Sequence, residues 1–198
     1  MNNSNNISLP PEPAEILPPK NSWLHTILDI AKMLVVALVL YFLIDSVIDR
    51  VRVENISMVP TLKEGEILIV NKLAYQLGSV ERGDILTFHY PLETKLNYIK
   101  RAIGLPGDTV EIKGKQVSVN GITLNEPYIV SPSDYEGEWI VPAESVFVLG
   151  DNRVDSADSH VWGFVPFKDL VGKALAVYWP LDRIRLLTHP NLMLAASQ

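Results

Sequence analysis

Residues 27–44 constrain the chain more than any other stretch. All eighteen are apolar except Asp29 and Lys32, and the uninterrupted part, Met33 to Ile44, is twelve residues long. A bilayer core takes about 20 residues of helix, so twelve alone do not cross it. With Lys32 snorkelling to the headgroups, Val47 and Ile48 prolonging the other end, and Trp23 and Tyr41 at the interfaces, the apolar length rises to about 20. The expectation is one membrane-spanning helix within residues 23–49, in preference to a helix lying in the interface. A cleaved signal sequence fits less well, because Ile44-Asp45-Ser46-Val47-Ile48-Asp49-Arg50 offers no small-x-small cleavage site and the apolar run begins well after residue 1. Lys20 and Lys32 nearly balance Arg50 and Arg52, so charge leaves the orientation open.

Around this segment the chain divides by composition. Residues 1–22 are rich in Asn and Pro and bury too little apolar area to fold, which reads as a flexible tail. Residues 50–182 are enough for one domain with its own core. Residues 183–198 read as a short C-terminal tail. Within the domain the pattern is of strands and turns: residues 66–70, 84–90, 98–103 and 174–178 are short runs of branched and aromatic residues bounded by Gly, Pro or Asp. A hairpin is expected from 109–112 to 116–119 across Lys113-Gly114-Lys115. Asn120-Gly121 is a strong two-residue turn into 122–124. The fold class is therefore mainly β, an antiparallel domain behind one N-terminal transmembrane helix.

Several functions are disfavoured at this point. A net charge of −6 argues against a nucleic-acid partner, and with no cysteine there are no disulfides or thiolate metal sites. The sequence has no His-Glu-x-x-His, no phosphate-binding glycine loop and no Ser-x-x-Lys, so neither a metal nor a cofactor is expected.

Three segments carry chemistry. Ser57-Met58-Val59-Pro60-Thr61-Leu62 presents a serine. Tyr98-Ile99-Lys100-Arg101-Ala102-Ile103-Gly104 sets a lysine among apolar and aromatic neighbours. Gly150-Asp151-Asn152-Arg153-Val154-Asp155-Ser156-Ala157-Asp158-Ser159-His160 is dense in hydroxyls, carboxylates and turn formers. A serine attacks a carbonyl only if something accepts its proton. No Gly-x-Ser-x-Gly elbow is present to pair with His25, His89, His160 or His189. A lysine serves instead if burial makes it neutral, which takes roughly 4 to 5 kcal/mol at pH 7. As a strand, residues 97–103 alternate, with Lys100 pointing inward and Arg101 away. Alone, Ser57 reads as a turn residue, Lys100 as a surface lysine, and Asp84 and Asp151 as turn carboxylates. Together and in this order, the segments look like a nucleophile and its base.

In this order the three segments, with Arg82-Gly83-Asp84-Ile85 between the first two, resemble type I signal peptidases, membrane-bound serine proteases with a Ser-Lys dyad that remove secretory signal peptides. The resemblance runs from about Val51 to Pro180. It implies Ser57 as nucleophile, Lys100 as general base, Ser156 as the hydroxyl that orients the lysine amine, and Asp158 as a structural acid. Met58, Leu62, Tyr98 and Ile99 fall where the family lines shallow substrate pockets. Asn55 stands where relatives carry a serine that assists the oxyanion, and its amide is expected to donate there beside the Ser57 N–H. His160 stands where many members have an arginine paired to the aspartate, which is expected to make the Asp158 region more sensitive to pH.

The implied function is signal peptidase I, cutting exported precursors after Ala-x-Ala-type sites through an acyl-enzyme. The implied partners are signal peptides, the lipid bilayer and the secretion machinery. The stretch from Asp158 to Pro166 resembles the cyanobacterial branch, which makes the plasma and thylakoid membranes the two candidate locations, with the catalytic domain on the outer or lumenal side. The alternative is a catalytically silent anchored β module that binds signal peptides or a secretion complex. A self-cleaving repressor shares the Ser-Lys chemistry but needs a DNA-binding domain in place of this apolar helix.

Overall fold

The computed structural model describes residues 22–188 and Leu192, so the expected tail up to residue 21 lies outside the described residues. The chain separates into two compact units, Met1–Leu43 and Ile44–Gln198. Helix α1 (Ser22–Val47) has 26 residues, about 39 Å at 1.5 Å per residue. It is apolar around its whole circumference, and Trp23–Val47 is long and apolar enough to cross a membrane. Besides Asp45 in its last turn it carries two charges three residues apart, which pair, Lys32 Nζ to Asp29 Oδ1 at 3.1 Å. The pairing reduces the cost of placing either near lipid.

The second unit is built of antiparallel strands in two sheets. In chain order they are β1 (Ile48–Arg52), β2 (Ile67–Asn71), β3 (Ile85–Tyr90), β4 (Glu93–Gly104), β5 (Thr109–Lys113), β6 (Gln116–Val119), β7 (Ile122–Thr123), β8 (Gly137–Ile140), β9 (Ser145–Leu149), β10 (Val165–Pro166), β11 (Leu170–Trp179) and β12 (Arg185–Leu186). The larger sheet runs β1-β2-β11-β3-β4-β9-β10 with β12 added to β11, and the smaller runs β7-β6-β5-β8. Alternation sets the faces. Leu68 and Val70 of β2 pack with Met58, Leu62, Ile85 and Val177, while Val110 and Ile112 of β5 pack with Val117, Val119, Ile103 and Phe147. The turn between β5 and β6 is only Gly114-Lys115, both with positive φ, as are Asn120 and Gly121 before β7. These are the backbone angles of tight hairpin turns, which Gly and Asn adopt most readily.

Four observations correct the sequence reading. Strand β1 begins at Ile48, inside the stretch assigned to the membrane helix, because residues 48–52 pair with 67–71 of β2. Strands β8 and β9 were not anticipated, although Val146, Phe147, Val148 and Leu149 are all fully buried. The expected tail from residue 183 does not begin there: Arg185 and Leu186 pair with Val177 and Ala176 of β11. Leu192 is buried in the core cluster around Phe147, and its carbonyl accepts the Asn125 N–H at 2.6 Å. Finally, Arg101 points opposite to Lys100 but not into solvent. It is 2% exposed, because the face of β4 opposite Lys100 is covered as well.

Candidate active site

Ser57 lies in a loop of short turns between β1 and β2, with Val59 N–H donating to the Ile56 carbonyl and Leu62 N–H to that of Met58. Lys100 lies in the middle of β4, opposite Leu86 of β3. From Arg101 onward the other edge of β4 pairs with β9, whose end at Leu149 runs directly into Gly150. That strand end delivers the third segment. Asn152 N–H donates to the Ser57 carbonyl at 3.0 Å, and the Lys100 amine donates to Ser156 Oγ at 2.9 Å. Gly150 lies between these groups. A Cβ there would come closer than 3.0 Å to both the Ser57 carbonyl oxygen and Ser156 Oγ.

Lys100 is 3% exposed. Burial lowers its pKa from 10.5 to about 8, against the opposing pull of the Asp158 and Asp151 charges. Both carboxylates are occupied elsewhere. Asp158, with no exposed surface, accepts the Gly150 N–H at 2.9 Å and lies 2.6 Å from His160 Nδ1. The His160 ring stacks on Tyr135 with centroids 3.6 Å apart. Asp151 takes a two-pronged bond from Arg101 at 2.8 and 2.6 Å, and Arg101 also donates to the Gly83 carbonyl and lies over the Tyr128 ring. Arg153 closes the turn on the Gly150 carbonyl and pairs with Glu126. These two buried arginine–carboxylate pairs were missed in the sequence. Arg101 was legible only as the other face of a strand, and Glu126 sits in a loop with no pattern to single it out.

Ser57 donates both its hydroxyl and its N–H to Asn55 Oδ1, at 2.7 and 3.1 Å. The amide oxygen, rather than the expected NH2, thus faces the serine. Among the described residues, no hydrogen bond joins Ser57 to Lys100. Beside the serine, a groove of about 440 Å³ runs between residues 49–55 and 95–99 and includes Met58. Asn55, Met58, Tyr98 and Ile99 line it. Leu62 does not. It is wholly buried in the cluster beneath, with Leu68 and Val70.

A buried amine with a pKa near neutrality, held by one hydroxyl in a site shared with a second serine, is equipped to accept a proton and return it. Comparison with known proteins identifies the family. The family described as signal peptidase, peptidase S26, matches residues 27–179. A signal peptidase I of Leptolyngbya laminosa is 48% identical over 143 residues, covering 68% of this chain and 70% of that one. A probable signal peptidase I-2 of Synechocystis sp. is 42% identical over 178 residues, 86% of this chain and 80% of that one. A probable thylakoidal processing peptidase 2, chloroplastic, of Arabidopsis thaliana is 34% identical over 182 residues, 85% of this chain and 50% of that one. With a match over most of its length and a fold that gathers the three segments at one site, the chain belongs to the signal peptidase family, peptidase S26, and is a serine peptidase.

Proposed function

We propose that the protein removes N-terminal signal peptides from exported precursors, with Ser57 as nucleophile and Lys100 as its base. The observation that carries this reading is the buried, hydrogen-bonded Lys100 amine beside the Ser57 loop. The precursor enters the groove as an extended strand beside Glu54-Asn55 and residues 97–99, and makes main-chain hydrogen bonds there. Met58 and Ile99, which line the groove, select small side chains of the Ala-x-Ala type. The Lys100 amine keeps its bond to Ser156, and its lone pair takes the Ser57 proton as Oγ attacks the scissile carbonyl carbon. The Ser57 N–H, released by Asn55, stabilises the oxyanion, and a half-turn of the Asn55 amide brings its NH2 to the same oxygen. Lys100 then protonates the leaving amine. With Lys100 again as base, water hydrolyses the ester between Ser57 and the signal peptide. Helix α1 holds enzyme and precursor in one membrane and raises their effective concentration. The plasma or the thylakoid membrane is the proposed site, with the catalytic unit on the outer or lumenal side and the secretion machinery close by.

The test is cleavage of a membrane-presented precursor with an Ala-x-Ala site by the full-length protein in detergent. Cleavage after the last Ala is expected. Failure of the folded protein on several such precursors would instead favour an anchored module that binds signal peptides without cutting them. Two further outcomes belong to the same assay. Gly150→Ala is expected to lower kcat by on the order of 100-fold, because its Cβ displaces Ser156 and the Ser57 backbone together. Retained kcat would mean that the two serines need not keep their spacing. His160→Arg, by permanently offsetting the Asp158 charge that raises the Lys100 pKa, is expected to move the acid limb of the pH profile to lower pH. Superimposable profiles would show that His160 does not reach Lys100 through Asp158.

A further inference from the structure

The Ser57 loop is held from two sides. On one, Asn152 binds it through its N–H to the Ser57 carbonyl at 3.0 Å and through Nδ2 to the Ile56 carbonyl at 3.3 Å. On the other, the hold comes from β12. Arg185 Nη2 donates to the Thr61 carbonyl at 2.6 Å, while its two Nη atoms reach the two oxygens of Glu66 at 2.9 and 2.7 Å. Glu66 is 1% exposed and also accepts the Lys63 N–H at 3.0 Å. Burial pushes its carboxyl pKa up, but the Arg185 and Lys63 hydrogen bonds, with the charges of Arg185 and Arg183, hold it below the usual value. Glu66 thus stays ionised as the seat for the guanidinium. The Thr61 carbonyl sits within the turn closed by Leu62 N–H on the Met58 carbonyl, one residue beyond Ser57. Thr61 is engaged a second time from β4, by a 3.5 Å contact between Arg101 Nη2 and its hydroxyl.

We propose that Arg185 is a positioning residue for Ser57: its fork, seated on Glu66, fixes the Thr61 carbonyl and with it the turn that aims the serine. The proposal rests on the reading of Ser57 as nucleophile. Arg185, Glu66 and Thr61 all lie outside the groove beside Met58 and Tyr98. The effect of losing the fork therefore falls on turnover and not on substrate binding. A lysine at 185 keeps the charge against Glu66 but has no planar fork with which to bond both the carboxylate and the Thr61 carbonyl.

The experiment measures kcat and KM separately for the full-length protein in detergent on an Ala-x-Ala precursor, at a temperature well below each variant's unfolding midpoint. Arg185→Ala is expected to lower kcat by on the order of 10- to 100-fold with KM within about twofold, the cost of a small misplacement of a reacting atom. Arg185→Lys is expected to fold and to show an intermediate kcat with the same KM. If Arg185→Ala does not fold, Arg185→Lys decides the matter. Natural kcat in either folded variant, or a rise in KM at constant kcat, would overturn the proposal. Ser57→Ala in the same assay separates the two readings. Activity in Ser57→Ala removes the nucleophile assignment and with it the role of Arg185. An inert Ser57→Ala beside a fully active Arg185→Ala removes only the positioning role.

Discussion

Lys100→Met is expected to be inactive and yet harder to unfold at neutral pH than the natural protein. With the base gone, kcat/KM falls by on the order of 10³- to 10⁴-fold. The gain in stability has the same origin as the loss of activity. Burial lowers the Lys100 pKa to about 8, so about one amine in ten is neutral at pH 7 where an exposed lysine offers one in a few thousand. The remaining nine carry a charge on a residue that is 3% exposed. Between pH 8 and 10.5 the unfolded chain binds more protons at this residue than the folded one, so natural stability rises with pH across that window. Below pH 8 the folded state bears the full penalty, on the order of 3 kcal/mol. Methionine has no charge to bury, and Asp151 and Asp158 keep their partners in Arg101, Gly150 and His160. The variant's advantage should therefore be constant below pH 8 and shrink toward pH 10.5. Unfolding of both proteins at pH 6.5 and pH 9.5 measures it. A variant that is less stable at pH 6.5 would contradict burial as the cause of the lowered pKa.

Ser57→Ala should produce the larger kinetic loss and almost no change in stability. Removing the nucleophile from a serine peptidase lowers kcat by on the order of 10⁶-fold. The backbone bond from residue 57 to Asn55 Oδ1 and the Asn152 bond to its carbonyl both survive the change, so the unfolding free energy should stay within about 0.5 kcal/mol. The groove is untouched, and the variant is expected to hold uncut precursor when the two are purified together. Its stability should also keep the rise between pH 8 and 10.5 that Lys100→Met loses. Specific cleavage at the same bond by Ser57→Ala would transfer the attack to another residue and end the Ser57 reading.

Local signals located much of this architecture. Asn120-Gly121 gave its turn because only a residue tolerant of positive φ fits there, and alternation placed Val110, Ile112, Val117 and Val119 on one face. Lys100 was legible because a lysine inside an apolar strand is chemically odd. Its neighbour was misread for want of the second sheet face: alternation says that Arg101 points the other way, and only the packing shows that way to be closed. Strand β9 had the signal, Val146 to Leu149 being four buried apolar residues in succession, but without alternation to announce it. Arg185 was invisible for a different reason. Its meaning lies in Glu66 and Thr61, which are 119 and 124 residues away, and no local pattern reports a partner at that distance. Asn55 shows the limit at the smallest scale. The sequence gives its amide, while which end of that amide meets Ser57 depends on the hydrogen bonds around it.

The bond from Arg185 to the Ser57 loop also fixes an order of events. Closing a contact over more than a hundred residues comes late, after the local hairpins of β5 to β7 and the pairing of β3 with β4 have formed. Strand β12, which follows β11, secures a loop that precedes β2 near the start of the domain. A chain in which β12 has not yet joined β11 would possess the serine, the lysine and most of the core, but not the tie to the Ser57 loop. Full peptide-cleaving power would then appear only once β12 has joined β11, and until that moment the serine would work at the reduced rate expected of Arg185→Ala.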